Sequence, residues 1–126
     1  MAGDHSDTTA AHEVIVVFRS RMRADADLDA YAATSARMHE LVSQHPGFIS
    51  IENFSTPEGD EVSLERFESE ESVEAWRRHP EHVEAQRRAR AEFYDWYSVQ
   101  TAHVVREYRH GRDPLSPAMA PGNGQP

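Results

Sequence analysis

The apolar pattern along the chain switches between a period of two and a period near 3.6, and these switches mark the elements. "EVIVVFRSRM", residues 13–22, is rich in β-branched and aromatic side chains and reads as a strand. "DADLDAYAATSARMHELVSQH", residues 25–45, places Leu28, Tyr31, Met38 and Val42 at helical spacing. Asp25 or Asp27 can cap its start, and His45-Pro46-Gly47 ends it. "GFISIENFS" alternates and predicts a second strand, "TPEGD" is turn chemistry, and "EVSLERFE" predicts a third strand, so residues 47–68 form a hairpin. Ser69 caps a second helix whose first turn carries Glu70 and Glu71, near the positive end of its dipole. That helix runs to Trp96 with an interruption near Pro80, and "YSVQTAHVVREY" is the fourth strand.

The order strand, helix, strand, strand, helix, strand predicts an α+β fold with a ferredoxin-like βαββαβ subunit. Its four-stranded antiparallel sheet would carry both helices on one face. The other face keeps apolar residues, Val14, Val16, Val104 or their neighbours, and no third helix is left to cover them. A second copy packed sheet to sheet covers them, so the sequence predicts a homodimer.

Both ends read differently. Residues 1–11 are small and polar, and from Arg109 the chain is dense in Pro and Gly without periodicity. The expectation is one domain over 12–108 between disordered tails at 1–11 and 109–126. With 13 Lys and Arg against 22 Asp and Glu, the formal charge is −9, which argues against a nucleic-acid or membrane-surface partner. There is no cysteine, no signal-peptide pattern and no apolar run long enough to span a bilayer. A cytoplasmic location fits these features.

The stretch "AWRRHPEHVEAQRRARAEFYDW", residues 75–96, concentrates the candidate chemistry. Proline removes a donor and clashes with the preceding turn, but it is harmless at the first position of a new helix. The stretch therefore reads as two helical pieces, with His79 either the cap of the second or the last residue before a kink. On a wheel of roughly 100° per residue, His82, Ala85, Gln86, Ala89, Phe93 and Trp96 share one side, while the arginines lie on a solvated face. The same wheel on the first helix puts Ser35 and His39 between Leu28, Ala32 and Val42. Each helix would then aim a histidine and a second polar group at the sheet. Such groups form either a hydrogen-bonded core or the lining of a pocket walled by Trp76, Phe93 and Trp96. His79 and His82 have a chelating spacing on a continuous helix, but Pro80 turns His79 away, so no metal ligand set is assigned.

The segments "EVIVVFRSRM", "HPGFISIENF", "EVSLERFES" followed by "EESVEAW", "HPEHVEAQ", "FYDWY" and "VVREY" together resemble the antibiotic biosynthesis monooxygenase family. The resemblance implies a dimeric α+β barrel of ferredoxin-like subunits. It also implies one of several functions: cofactor-free oxidation of phenols to quinones with molecular oxygen, heme degradation, or quinol or aldehyde handling; the same fold and cavity leave open a small-ligand-binding dimer without turnover or a metal-binding member. Trp76 resembles the family's helix tryptophan. In the heme degraders an axial histidine follows that tryptophan by about two and a half turns, and an asparagine sits on the first strand. Here the helix register reaches Ala85 or Gln86, and "VIVVFRSRM" has no asparagine, so the heme reading is disfavoured. The resemblance points instead to an oxygenase without an organic cofactor, acting on an aromatic, phenolic or quinol-like small molecule. His82 and His39 are the candidate bases, and Ser35, Trp76, Gln86, Phe93 and Trp96 the candidate substrate contacts, with Tyr94 or Tyr97 as hydrogen-bond partners.

Overall fold

The computed structural model describes residues 13–111. The tails expected at 1–11 and 109–126 lie outside this span, apart from Arg109, His110 and Gly111. Strand β1 is Val14–Met22, helix α1 is Leu28–Ser43, and β2 and β3 are Phe48–Ser55 and Glu61–Phe67. Helices α2 (Glu70–Arg77) and α3 (Pro80–Arg88) follow, then a widened π-type turn over Ala89–Phe93, and β4 is Tyr94–His103. The sheet order is β2-β3-β1-β4 with every neighbouring pair antiparallel, as the ferredoxin-like expectation requires.

Local chemistry sets the helix boundaries. Asp27 accepts a hydrogen bond from the Ala30 amide at the start of α1, and Ser69 accepts one from the Ser72 amide at the start of α2. His79 is extended and accepts from the Glu81 amide, with Pro80 in the first turn of α3. The expected break at Pro80 is therefore present. Gly47, at φ +90°, links α1 to β2. A Cβ there would lie 2.3 Å from Ser72 Oγ, which itself donates to the Pro46 carbonyl at 2.6 Å. This close approach ties the loop to the first turn of α2.

The last strand departs from expectation. The helical stretch ends before Trp96, and β4 begins at Tyr94, because the Arg23 amide bonds the Phe93 carbonyl at 2.8 Å and Met22 pairs with Tyr94. The strand stops at His103 rather than Tyr108. His103 pairs with Val14, the first residue of β1, and the Val104 amide reaches one residue further, to the Glu13 carbonyl.

The two sheet faces divide by residue parity. Val14 and Val16 of β1 and Phe67 of β3 pack against Val42 of α1 and Val73 and Trp76 of α2, with Met38, Leu41 and Phe48 around them. Their neighbours Ile15, Val17, Val62, Leu64 and Phe54 point to the other face, where no helix lies among the described residues. So the apolar residues on that face are the neighbours of Val14 and Val16, not the two valines themselves. Arg19 and Arg21 also lie there and both bind Asp60, which is 3% exposed and anchors the hairpin turn to β1.

Candidate functional site between helices and sheet

The layer between the helices and the sheet has two halves. At the Val14–Phe67 end it is a closed aliphatic and aromatic core. Toward Ser20 it becomes aromatic and polar. Phe18 lies 5.5 Å from Tyr94 and 5.6 Å from Tyr97, ring centre to ring centre. Tyr31 of α1 meets Phe93 edge-on at 5.4 Å and Tyr94 at 6.1 Å. Burial and contact with Tyr31 push the Tyr94 hydroxyl well above the usual tyrosine range, while Ser20 pulls the other way, so Tyr94 stays protonated and can donate. This half is open along β4. Tyr97 and Val99 pair with Ser20 and Phe18 and so share the helix-facing side, yet they are 38% and 47% exposed.

Trp76 is the hub of the other side. It is buried, and the His82 ring stacks on it at 4.4 Å with 19° between planes. His45 and His79 each approach the indole to 5.6 Å. His82 Nδ1 is 3.1 Å from the Trp76 carbonyl. A carbonyl only accepts, so Nδ1 carries the hydrogen and Nε2 is left as an acceptor. Burial lowers His82 to about 4, against the opposing effect of that hydrogen bond, so the ring is neutral at pH 7. His45 Nε2 bonds the Ser72 carbonyl at 3.0 Å, and His79 Nδ1 is used as a helix cap. Among the described residues no group of three or more His, Cys, Asp or Glu is placed to hold a metal ion.

The residues singled out from the sequence do not all meet here. Trp76 and His82 are in contact, Phe93 packs on Tyr31, and Gln86 sits part-buried one turn beyond His82. Ser35 and His39, expected inward, are exposed. Helix α1 instead turns Tyr31, Thr34, Met38, Leu41 and Val42 toward the sheet and leaves Leu28 64% exposed. Tyr31, Met38 and Val42 stay inward as expected, while Thr34 and Leu41 take the inward places of Ser35 and His39, a rotation of about one residue position. Trp96, expected in the pocket wall, pairs with Arg21 and so belongs to the other face of the sheet.

One residue was missed. Glu65 stands on β3, opposite Val16 of β1 and Ile51 of β2, and so faces the helices from the middle of the sheet. It makes no hydrogen bond or ion pair among the described residues, and burial alone pushes its carboxyl up to about 7. The signal was present in "SLERF". Strand alternation puts Glu65 on the same side as Phe67, the largest apolar side chain of that strand.

The comparisons with known proteins agree with this architecture. A family model described as Antibiotic biosynthesis monooxygenase matches residues 13–88. The uncharacterized protein YqjZ of Bacillus subtilis is 31% identical over 77 residues, which cover 61% of this chain and 68% of that protein. The structure of Rv0793 from Mycobacterium tuberculosis superposes with a TM-score of 0.67 at 20% identity, covering 77% of this chain and 99% of the other. A variant of SnoaB, a cofactor-independent oxygenase from Streptomyces nogalater, gives a TM-score of 0.67 at 14% identity, covering 79% of this chain and all 100% of the other. At such identities these two structures speak for the fold alone. The family match runs from the first strand to the end of α3, more than half of the chain, and the protein belongs to the antibiotic biosynthesis monooxygenase family.

Proposed function

We propose that the protein is a monooxygenase that works without an organic cofactor and converts an electron-rich phenol to a quinone with molecular oxygen. Family membership supports this reading. The observation that carries it is the aromatic half-layer of Phe18, Tyr94 and Tyr97, which opens along β4 and offers ring faces to a flat substrate. The overall reaction balances without a reductant: a phenol with a free ring position plus O2 gives the quinone and one water, and the substrate supplies all four electrons. The phenol must first lose its hydroxyl proton, because the phenolate is the form that reduces oxygen. The ring-bound peroxide that results then loses water. In this reading Tyr94 donates to the developing peroxide oxygen, Gln86 and His82 Nε2 hold polar groups of the substrate, and Trp76 and Phe93 keep water out.

The working unit is proposed to be a cytoplasmic homodimer packed through the uncovered sheet face. No described helix is long and apolar enough to cross a membrane. The test is oxygen consumption by metal-free protein supplied with a dihydroxynaphthalene. Uptake proportional to protein, with no added flavin, nicotinamide or heme, is the expected result. Binding of the naphthalene without uptake would make the protein a ligand-binding relative instead.

A further inference from the structure

We propose that Glu65 is the catalytic base, accepting the hydroxyl proton of the phenol; this rests on the oxygenase reading. Glu65 occupies a central strand with β1 on one side and β2 on the other, and it is part-buried on the side that faces the helices. Its cross-strand neighbours on that face are Val16 and Ile51, and neither can hydrogen-bond through its side chain. A carboxylate kept there without a partner is unfavourable for folding, and a glutamine or an apolar residue would fit the strand at lower cost. A substrate hydroxyl supplies the missing partner.

The spacing suits a ring. Glu65 faces Val16, and the next residue on that side of β1 is Phe18, which faces Ser63. Diagonal neighbours across an antiparallel pair lie roughly 7–8 Å apart, within reach of a ring stacked on one residue and hydrogen-bonded through its hydroxyl to the side chain of the other. A phenol stacked on Phe18 therefore brings its hydroxyl to Glu65 and its far edge toward the opening at Val99.

The alternative base is less well matched. A base works best when its conjugate acid titrates near the operating pH. His82 is held at about 4, and its Nδ1 is committed to the Trp76 carbonyl, whereas Glu65 titrates near 7. The other titratable groups on or beside this face are Tyr31, His45, His79, Tyr94, Tyr97 and His103 with its partner Glu70. Neither these nor His82 contributes to the position of Glu65, which follows from burial alone.

Glu65 takes the hydroxyl proton as the phenolate adds O2 at the free ring carbon next to the hydroxyl, within reach of the same carboxylate, and it returns that proton to the outer peroxide oxygen. It then takes the proton of the same ring carbon as the O–O bond breaks and the second carbonyl forms. Transfer of this proton to the departing hydroxide releases water and restores the carboxylate.

The experiment compares wild type with Glu65→Gln and Glu65→Asp, using a dihydroxynaphthalene as probe. Oxygen uptake and naphthalene binding are followed from acid to alkaline pH, and carbon-13 NMR reads the glutamate carboxyls. The expected results are one glutamate titrating near neutrality that is absent in Glu65→Gln, and a kcat lowered about 100-fold or more in that variant with KM nearly unchanged. The acid limb of the wild-type profile should vanish in Glu65→Gln and persist in Glu65→Asp. Unchanged kcat and an unchanged limb in Glu65→Gln would overturn the assignment while leaving the oxygenase reading intact. If wild type consumes no oxygen, that reading fails and binding decides the role of Glu65. Binding that weakens below neutral pH in wild type but not in Glu65→Gln retains it as the hydroxyl's acceptor, and pH-independent binding in wild type rejects it.

Discussion

Glu65 and His82 are both destabilising in their charged forms, and they act in opposite pH directions. Glu65 titrates at about 7 in the folded chain against an ordinary 4.5, so its neutral form is the one folding favours. Its contribution is fully present below 4.5 and is lost as pH rises through 7, a change of about 3 kcal/mol. His82 titrates at about 4 against 6.5, so the unfolded chain binds the extra proton; stability is full above 6.5 and is lost as pH falls toward 4, again by about 3 kcal/mol. Between 4.5 and 6.5 the two slopes offset each other. Denaturant titrations should therefore find wild-type stability nearly flat in that window. Glu65→Gln should be more stable than wild type at about pH 8, by up to ~3 kcal/mol, with the gain gone below 4.5. Equal stability of the two proteins at pH 8 would show that Glu65 is solvated after all. At this scale the sequence was only partly legible. His82 was legible from the helical spacing of α3, and Trp76 from its resemblance to the family's helix tryptophan. Glu65 was overlooked because a lone acid in a strand normally marks the solvent side.

At the scale of elements, the breaks and caps were the most readable features, because each rests on the local chemistry of one or two residues. Asp27, Ser69 and the His79-Pro80 pair do what their residue types dictate. Pro80→Ala should shift stability by less than about 1 kcal/mol, since the proline occupies a first-turn position whose amide needs no partner. Gly47→Ala should be far more damaging, by more than about 2 kcal/mol, because it meets both the left-handed backbone and Ser72 Oγ at 2.3 Å. Thermal unfolding of the two variants side by side checks the contrast, and a mild Gly47→Ala would mean that the loop does not hold α2 in this way. The face of α1 and the start of β4 were not legible locally. Ser35 and His39 turned outward, and Trp96 went to the far face, because tertiary packing of Leu41 and pairing of Met22 with Tyr94 decide those orientations.

At the scale of the molecule, element order alone specified the antiparallel sheet with helices on one face, since few topologies satisfy that order. The apolar outer face with Val17, Leu64 and Phe54 is the basis for the proposed dimer, and Phe54 is 51% exposed on it. Light scattering should find twice the chain mass for wild type, and Leu64→Glu should halve it with the helical circular dichroism retained. A monomeric wild type would remove the dimer from the account. The central claim, oxygenation without a cofactor, is tested most directly with oxygen-18 gas and a dihydroxynaphthalene in one quenched turnover. The account predicts a quinone carrying one labelled oxygen atom, the second atom appearing in water, and no hydrogen peroxide. Unlabelled quinone with peroxide would mean simple electron transfer to oxygen, and no quinone at all would contradict the oxygenase reading outright.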